Sequence, residues 1–377
     1  MSNTLGIGVI GCGNISAAYM RLAPLFRGIE MRACADISAE AAKTRAEEFG
    51  LKALSIDDLL AADDVDIVVN LTVPNAHFEV SSRVLEAGKH VYSEKPFVLS
   101  AEEGEALRKV ADEKGLRVGS APDTFLGGAH QLARKLVDEG AVGEIKSGTC
   151  FVQSPGMEMW HPNPDFFFQP GGGPILDLGP YYVSNLVQLL GPVKRVTAMS
   201  SSAQEYRTIT SQPRHGEKIK VETPTTIHAI LQFESGAQVT YCASWDVWQH
   251  GHSNMELYGL NGTLHVPDPN FFGGEVRMTQ KSAYVNAPGW DHPFAVANGV
   301  DGRGTPSANY RCAGLADMGA AILDGRPHRC GLEFALHVVD VMTAILKAGE
   351  TGNAVDIATT CTRPEALDPE AARALLA

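Results

Sequence analysis

Three side chains in this sequence stand where proton transfer at an alcohol carbon could be done: Lys95, Asp177 and Tyr181. Lys95 lies in Ser93-Glu94-Lys95-Pro96, directly after a short apolar run. A residue before proline is held extended. A lysine at the mouth of a cleft can donate to a substrate hydroxyl and bias the pKa values around it. The plainer reading is a surface lysine paired with Glu94. Asp177 and Tyr181 lie four apart, after Pro170-Gly171-Gly172-Gly173-Pro174. On a helix that spacing puts them on one face, so a carboxylate and a phenol could address a single carbon. Gly179-Pro180 between them threatens that geometry, and a capping aspartate beside packed tyrosines is the alternative. A phenol starts near pKa ~10 and needs lowering by roughly 2 to 3 units to work as a base at neutral pH. A cation within about 4–6 Å can do this. Lys95 is the cation on offer, and the better base if the phenol keeps its proton.

Such chemistry needs a hydride acceptor, and the N-terminus supplies a place for one. Ile7-Gly8-Val9-Ile10 reads as a buried strand that breaks into Gly11-Cys12-Gly13-Asn14-Ile15-Ser16 and then a helix. Gly11 permits the tight turn. Gly13 lets the backbone approach a pyrophosphate seated on the helix N-terminus at Asn14 and Ile15. Ser16 replaces the third glycine with another small side chain. Asp36 follows about 20 residues past the loop, at the end of a second strand, where an acid binds the adenosine ribose and disfavours a ribose phosphate. NAD is therefore expected in preference to NADP. Farther along, Asn70-Leu71-Thr72-Val73-Pro74-Asn75-Ala76-His77 closes another buried run. Thr72, Pro74, Asn75 and His77 either face the nicotinamide ribose or simply mark a helix start with His77 on its surface. Glu94 and Lys95 complete the expected cofactor contacts.

On the substrate side, Trp160-His161-Pro162 and Asp165 precede the glycine run, and Trp160 and His161 are candidate pocket residues. Trp245 and Trp248 read as packing residues or as platforms for a sugar ring. Asp246, His250 and His252 have a spacing found in metal sites, but no further ligand cluster accompanies them and no metal is expected.

Two rhythms position these groups. From residue 1 to 123 strands and helices alternate: a helix at Ala39–Phe49 closed by Gly50, capping boxes at Ser55/Asp58 and Ser100/Glu103, strands at Val65–Leu71, His90–Ser93 and Leu116–Ser120, and helices ending at Gly88 and Gly115. This predicts an α/β N-terminal Rossmann domain, a parallel sheet with helices on both faces. Residues 124–377 are expected to form an α+β domain with a large, mostly antiparallel open sheet. Its strands are Ile145–Val152, Val193–Ser200, Thr225–Phe233, Gln238–Ser244, Asn254–Gly259 and Gly262–Val266. Glu234-Ser235-Gly236 and Leu260-Asn261-Gly262 make hairpin turns. Helices are expected at Gly128–Glu139, Tyr181–Leu190, Tyr310–Leu323 and Phe334–Ala348.

Composition narrows the class. A net charge of −13 argues against nucleic-acid binding. No run of about 18 apolar residues exists, so no membrane span is expected. No secretory signal is visible at the start. The seven cysteines are scattered and never form Cys-x-x-Cys, which favours reduced thiols in the cytoplasm.

Taken together, Gly-x-Gly-x-x-Ser with Asp36, Thr72-Val73-Pro74-Asn75, Glu94-Lys95-Pro96 and Gly-Gly-Gly-x-x-x-Asp-x-Gly-x-Tyr resemble the glucose–fructose oxidoreductase/inositol dehydrogenase/MocA family over nearly the whole chain. The resemblance implies an NAD(P)-dependent oxidoreductase acting on a secondary hydroxyl of a sugar, polyol or related diol. It makes Lys95 the active-site lysine and Asp177 the substrate-orienting aspartate. Many members carry a histidine four residues beyond that aspartate. Tyr181 instead looks like the tyrosine variants, which leaves the base open between Tyr181 and Lys95. The resemblance also implies a homodimer or homotetramer built through the open sheet. Two other functions remain on this frame: an NAD-dependent glycoside hydrolase using transient oxidation, and a non-catalytic dinucleotide sensor.

Overall fold

The computed structural model describes residues 4–281, 283–302 and 304–377. The chain divides into two compact units. The first comprises residues 1–128, 291–336 and 364–377, the second 129–290 and 337–363. A single second domain over 124–377 is thus a different division. Two later stretches fold back into the first unit.

The first unit begins with β1 (Leu5–Ile10), α1 (Asn14–Leu22), β2 (Ile29–Ala35), α2 (Ala39–Phe49), β3 (Lys52–Ala53), α3 (Ile56–Ala61), β4 (Ile67–Asn70), α4 (His77–Glu86), β5 (His90–Ser93), α5 (Ala101–Lys114) and β6 (Val118–Ser120). The strands form one sheet in the order β3-β2-β1-β4-β5-β6, every pair parallel. All four β4 residues are buried, as expected of a strand covered on both faces. Both serines cap their helices: the Ser55 and Ser100 side chains accept from the Asp58 and Glu103 amides, 3.0 and 3.2 Å, while Glu103 Oε2 accepts from the Leu99 amide rather than from Ser100. Gly50 and Gly115 close α2 and α5 in the left-handed conformation.

The second unit holds α6 (Gly128–Asp138), β7 (Ile145–Gln153), α7 (Gly173–Leu190), β8 (Val193–Ser201), β9 (Tyr206–Thr208), β10 (Lys218–Lys220), β11 (Thr226–Phe233), β12 (Gln238–Ser244), β13 (Met255–Gly259), β14 (Gly262–Val266), β15 (Arg277–Gln280) and β16 (Ala283–Asn286). The chain then returns through β17 (Gly299–Val300), β18 (Pro306–Ser307) and α8 (Ala313–Asp324) to the first unit. The division falls inside α9 (Leu332–Thr351), after which come β19 (Val355–Asp356) and α10 (Pro369–Leu375). Among the described residues a nine-stranded sheet runs β16-β15-β14-β13-β7-β12-β11-β8-β19. The two expected hairpins are present as antiparallel β11–β12 and β13–β14 pairs. One pair departs from the antiparallel pattern: β7 and β12 are parallel, so the sheet is mixed. The small β9–β10 ladder, β15 and β16 were not foreseen. Three or four residues each, they are too short for a clear alternation.

Candidate active site

In the first unit the glycine turn is built for two different reasons. Gly11 has φ +103, and a Cβ there would come within 2.6 Å of the Leu71 carbonyl and 2.8 Å of the Thr72 nitrogen. The turn therefore passes so close to the end of β4 that a side chain is excluded. Gly13 is the opposite case. Its φ of −72 suits any residue, and a Cβ would meet nothing within 4 Å. No internal packing demands a glycine at 13; it keeps the space in front of α1 open. Gly13 is also the N-cap of α1, with no side chain capping that end and no acid in its first turn. Gly13 and Asn14 are exposed, and Ile15 is half-buried. Unoccupied amides and the positive end of a helix dipole suit an anion. Arg45 of α2 adds a guanidinium, donating from Nε to Ser16 Oγ at 3.1 Å while also pairing with Glu48. This donor set fits the pyrophosphate of a dinucleotide.

Asp36, at the end of β2, is tied to that turn. Its Oδ2 accepts from the Cys12 amide at 2.7 Å and its Oδ1 from the Ser38 amide at 2.8 Å. A carboxylate has about four acceptor positions, so ribose hydroxyls can still be received.

After β4, Asn70 organises the next segment. Its Oδ1 accepts from the Thr72 hydroxyl at 2.7 Å, and its amide donates to the His77 carbonyl and Ser81 Oγ. Pro74 and Asn75 lie in a single 3-10 turn, with Asn75 exposed. His77 is fully buried, which corrects the expectation of a surface or ribose-facing ring. Its Nδ1 and Nε2 face the carbonyls of Pro96 and Thr72, at 2.7 and 3.0 Å. The ring thus staples the end of β4 to the Lys95-Pro96 segment, and burial holds its pKa below the usual histidine value.

Glu94 is likewise committed internally rather than offered to a cofactor. Its Oε1 accepts from Tyr19 Oη at 3.0 Å and from Arg311 Nη1 at 2.7 Å, and its Oε2 accepts from the Lys95 amide at 2.8 Å. Burial pushes the carboxyl up, but Arg311 and then Lys95 outweigh it, and its pKa falls below the ordinary value. Nearby Asp123 is buried and accepts from the Gly314 amide at 3.0 Å. Burial raises it to about 6, with Arg311 opposing. Arg311 therefore holds down the carboxylate that fixes the Lys95 backbone. Its separation of 217 residues from Glu94 left no signal in sequence.

In the second unit Asp177 and Tyr181 share α7. The helix runs unbroken from Gly173 through Pro180, so it begins eight residues before the expected Tyr181 start. The missing Pro180 amide leaves the Leu176 carbonyl without its helical donor, yet the surrounding core keeps the turn. Every α7 residue except Asp177 and Leu178 is buried. One carboxylate is thus presented by an otherwise enclosed helix, one turn before a buried phenol. The preceding glycines serve packing as much as ligand approach: a Cβ on Gly172 would press on the Phe166 and Phe167 carbonyls.

Trp160 is 64% exposed, and its ring meets His161 edge-on at 5.4 Å. His161 also meets Phe166 and Phe167 edge-on, and its Nδ1 accepts from the Asn163 amide at 3.1 Å. Asp165 is paired with Arg214, which makes it a tie to the β9–β10 hairpin. Another arginine, this one buried, was also invisible in sequence. Arg207 donates to Glu158 Oε1 at 2.9 Å and to the Trp245 carbonyl at 2.8 Å, and pairs with Asp246. Trp245 is fully buried against Phe167 and Phe168, so it is a packing residue. Among the described residues no group of three histidine, cysteine or acidic side chains is placed to hold a metal. Among them, too, no helix is long and apolar enough to cross a membrane.

Comparison with known proteins agrees with this architecture. Residues 5–121 match an oxidoreductase family's NAD-binding Rossmann fold, and residues 130–265 match the GFO/IDH/MocA C-terminal domain. A dTDP-3,4-didehydro-2,6-dideoxy-alpha-D-glucose 3-reductase of Streptomyces violaceoruber is 32% identical over 248 residues, 64% of this chain and 69% of that protein. Levoglucosan dehydrogenase of Pseudarthrobacter phenanthrenivorans is 27% identical over 69% of this chain and 72% of its own. Several other curated relatives are matched over only 53–62% of their length. A solved levoglucosan dehydrogenase in complex with NADH superposes with a TM-score of 0.78 at 21% identity, covering 94% of this chain and all of the other. The chain belongs to the GFO/IDH/MocA family of oxidoreductases with an NAD-binding Rossmann fold.

Proposed function

We propose that this protein oxidises a secondary hydroxyl of a sugar, polyol or related diol to a ketone, or runs the reverse reduction, with NAD preferred over NADP. The observation that carries this reading is the uncapped, open start of α1 at Gly13, with Asp36 bonded to the same turn. Relatives named as a nucleotide-sugar reductase and as levoglucosan dehydrogenase put carbohydrates first among substrates.

Bound NAD would supply the hydride acceptor, or the donor in the reverse direction. Tyr181 Oη takes the hydroxyl proton. Lys95 Nζ donates to the substrate hydroxyl. Asp177 orients a neighbouring hydroxyl through its carboxylate, and His161 and Trp160 contact the rest of the ring. Glu94 and His77 hold the Lys95 segment, and Thr72 meets the nicotinamide ribose. A carboxylate at 36 receives ribose hydroxyls and repels a ribose phosphate.

The proposal extends to assembly and location. The open sheet presents a row including Thr197, Met199 and Ile230, with Met199 78% exposed, as a face for a homodimer or homotetramer. All seven cysteines are buried and unbridged, in keeping with a reducing cytoplasm. The test is an NADH-absorbance screen over sugars, inositols, anhydrosugars and diols with both cofactors. Turnover with at least one of them, faster with NAD, supports the reading. Release of an aglycone without net NADH points to the hydrolase, and no turnover at all points to the sensor.

A further inference from the structure

We propose that a cavity in the second unit is an additional carbohydrate subsite, taking one neutral sugar ring against the indole of Trp248. The cavity measures about 240 Å³ and is lined by Glu158, Met159, Arg207, Thr208, Asp246 and Trp248, among others. None of its lining residues belongs to α7, and neither the cofactor turn nor the Asp177/Tyr181 pair uses it.

Three observations select the ligand. The first is size: drug-sized ligands occupy roughly 300–1,000 Å³, so this space suits a single ring and excludes a whole nucleotide. The second is charge. Arg207 is already shared between Glu158 and Asp246, and Asp246 Oδ2 also accepts from the Thr225 and Thr226 hydroxyls, each at 2.6 Å. The wall therefore carries one cation against two carboxylates and repels phosphate. The third is the aromatic face. Trp248 is 80% exposed, whereas Trp245, three residues earlier, is fully enclosed. An indole left in water beside hydroxyl and amide side chains (Thr208, Thr210 and Gln204) matches the two faces of a pyranose, apolar on its C–H side and polar at its rim.

The test is calorimetric titration of the intact protein, without NAD, using methyl β-D-glucopyranoside and cellobiose as probes. Saturable binding is expected, weakened about tenfold in Trp248→Ala, the scale of a ~1.4 kcal/mol contact. The cofactor-dependent turnover of that variant should stay unchanged. Thr208→Val should weaken binding too, without touching the indole. Unchanged affinity in Trp248→Ala, or no saturable binding in the wild type, overturns the proposal. So does binding that is lost in Tyr181→Phe instead, which would place the sugar at α7. If Trp248→Ala dissociates an oligomer, the indole covers a second copy of the chain, and the subsite is refuted. Because no cofactor is present, failure here is distinct from failure of the oxidoreductase reading, which is judged by turnover.

Discussion

The two units offer a ligand different kinds of group. The first offers main-chain amides at a turn, and side chains such as Arg45 and Asp36 only trim it. On the proposed reading the second offers side chains, half-buried Asp177 and buried Tyr181, from a largely enclosed helix. A backbone cradle depends on what is absent, a Cβ at 11 and at 13. A side-chain site depends on what is present and on the core that aims it. Substitutions should therefore fail differently in the two units.

The largest effect is expected at Tyr181. Tyr181→Phe should lower kcat by about 10²–10⁴, the usual worth of a general acid or base, with NAD affinity nearly unchanged. Equal activity at saturating substrate would remove the phenol from the mechanism and leave Lys95 as the base. Next comes a pH effect confined to the first unit. Burial raises Asp123 from 3.8 to about 6, so its neutral form is favoured in the fold. That contribution is complete below about pH 4 and is lost as pH rises through about 6. Asp123→Asn cannot ionise, so its stability relative to wild type should improve by up to about 3 kcal/mol between pH 4 and 7. Denaturant midpoints across that range would check this, and a constant gap would show that Asp123 ionises as freely folded as unfolded.

A smaller effect should separate binding from folding at the cradle. Gly13→Ala puts a methyl where nothing in the protein lies within 4 Å. NAD affinity should fall by roughly tenfold, ~1.4 kcal/mol, while the thermal midpoint stays put. A lower midpoint with unchanged affinity would mean that the open space serves the fold alone. The smallest change is one of preference: Asp36→Ala should weaken NAD severalfold more than NADP, read as the ratio of their kcat/KM values. An unchanged ratio would remove Asp36 from cofactor choice.

The same contrast explains what could be read from the chain beforehand. The glycine turn, Asp36 and the β11–β12 and β13–β14 hairpins were legible because each is local: a spacing, a strand end, a two-sided alternation around a turn. Gln238–Ser244 and Gly262–Val266 even kept their ends. The groups that hold the site were not legible, because their partners are remote. Arg311 reaches Glu94 across 217 residues, and Arg207 reaches Glu158 and Asp246 across 49 and 39. His77 read either as a ribose-facing or as a surface residue after its proline-marked start, yet tertiary packing turned it inward between two carbonyls. Pro180 read as a break, yet the apolar sequence around it buries the helix so thoroughly that one lost amide did not end it. The parallel β7–β12 pairing joins segments separated by α7 and four strands, which no alternation pattern encodes.

The central claim is that a hydride moves between a substrate carbinol carbon and NAD held on the Gly13 cradle. It is tested most directly by supplying a substrate found in the screen with deuterium on its carbinol carbon and analysing the NADH that is released. The account predicts deuterium at nicotinamide C4 and a slowed hydride step in the wild type. Deuterium retained in the product or lost to water, with unlabelled NADH, would contradict it.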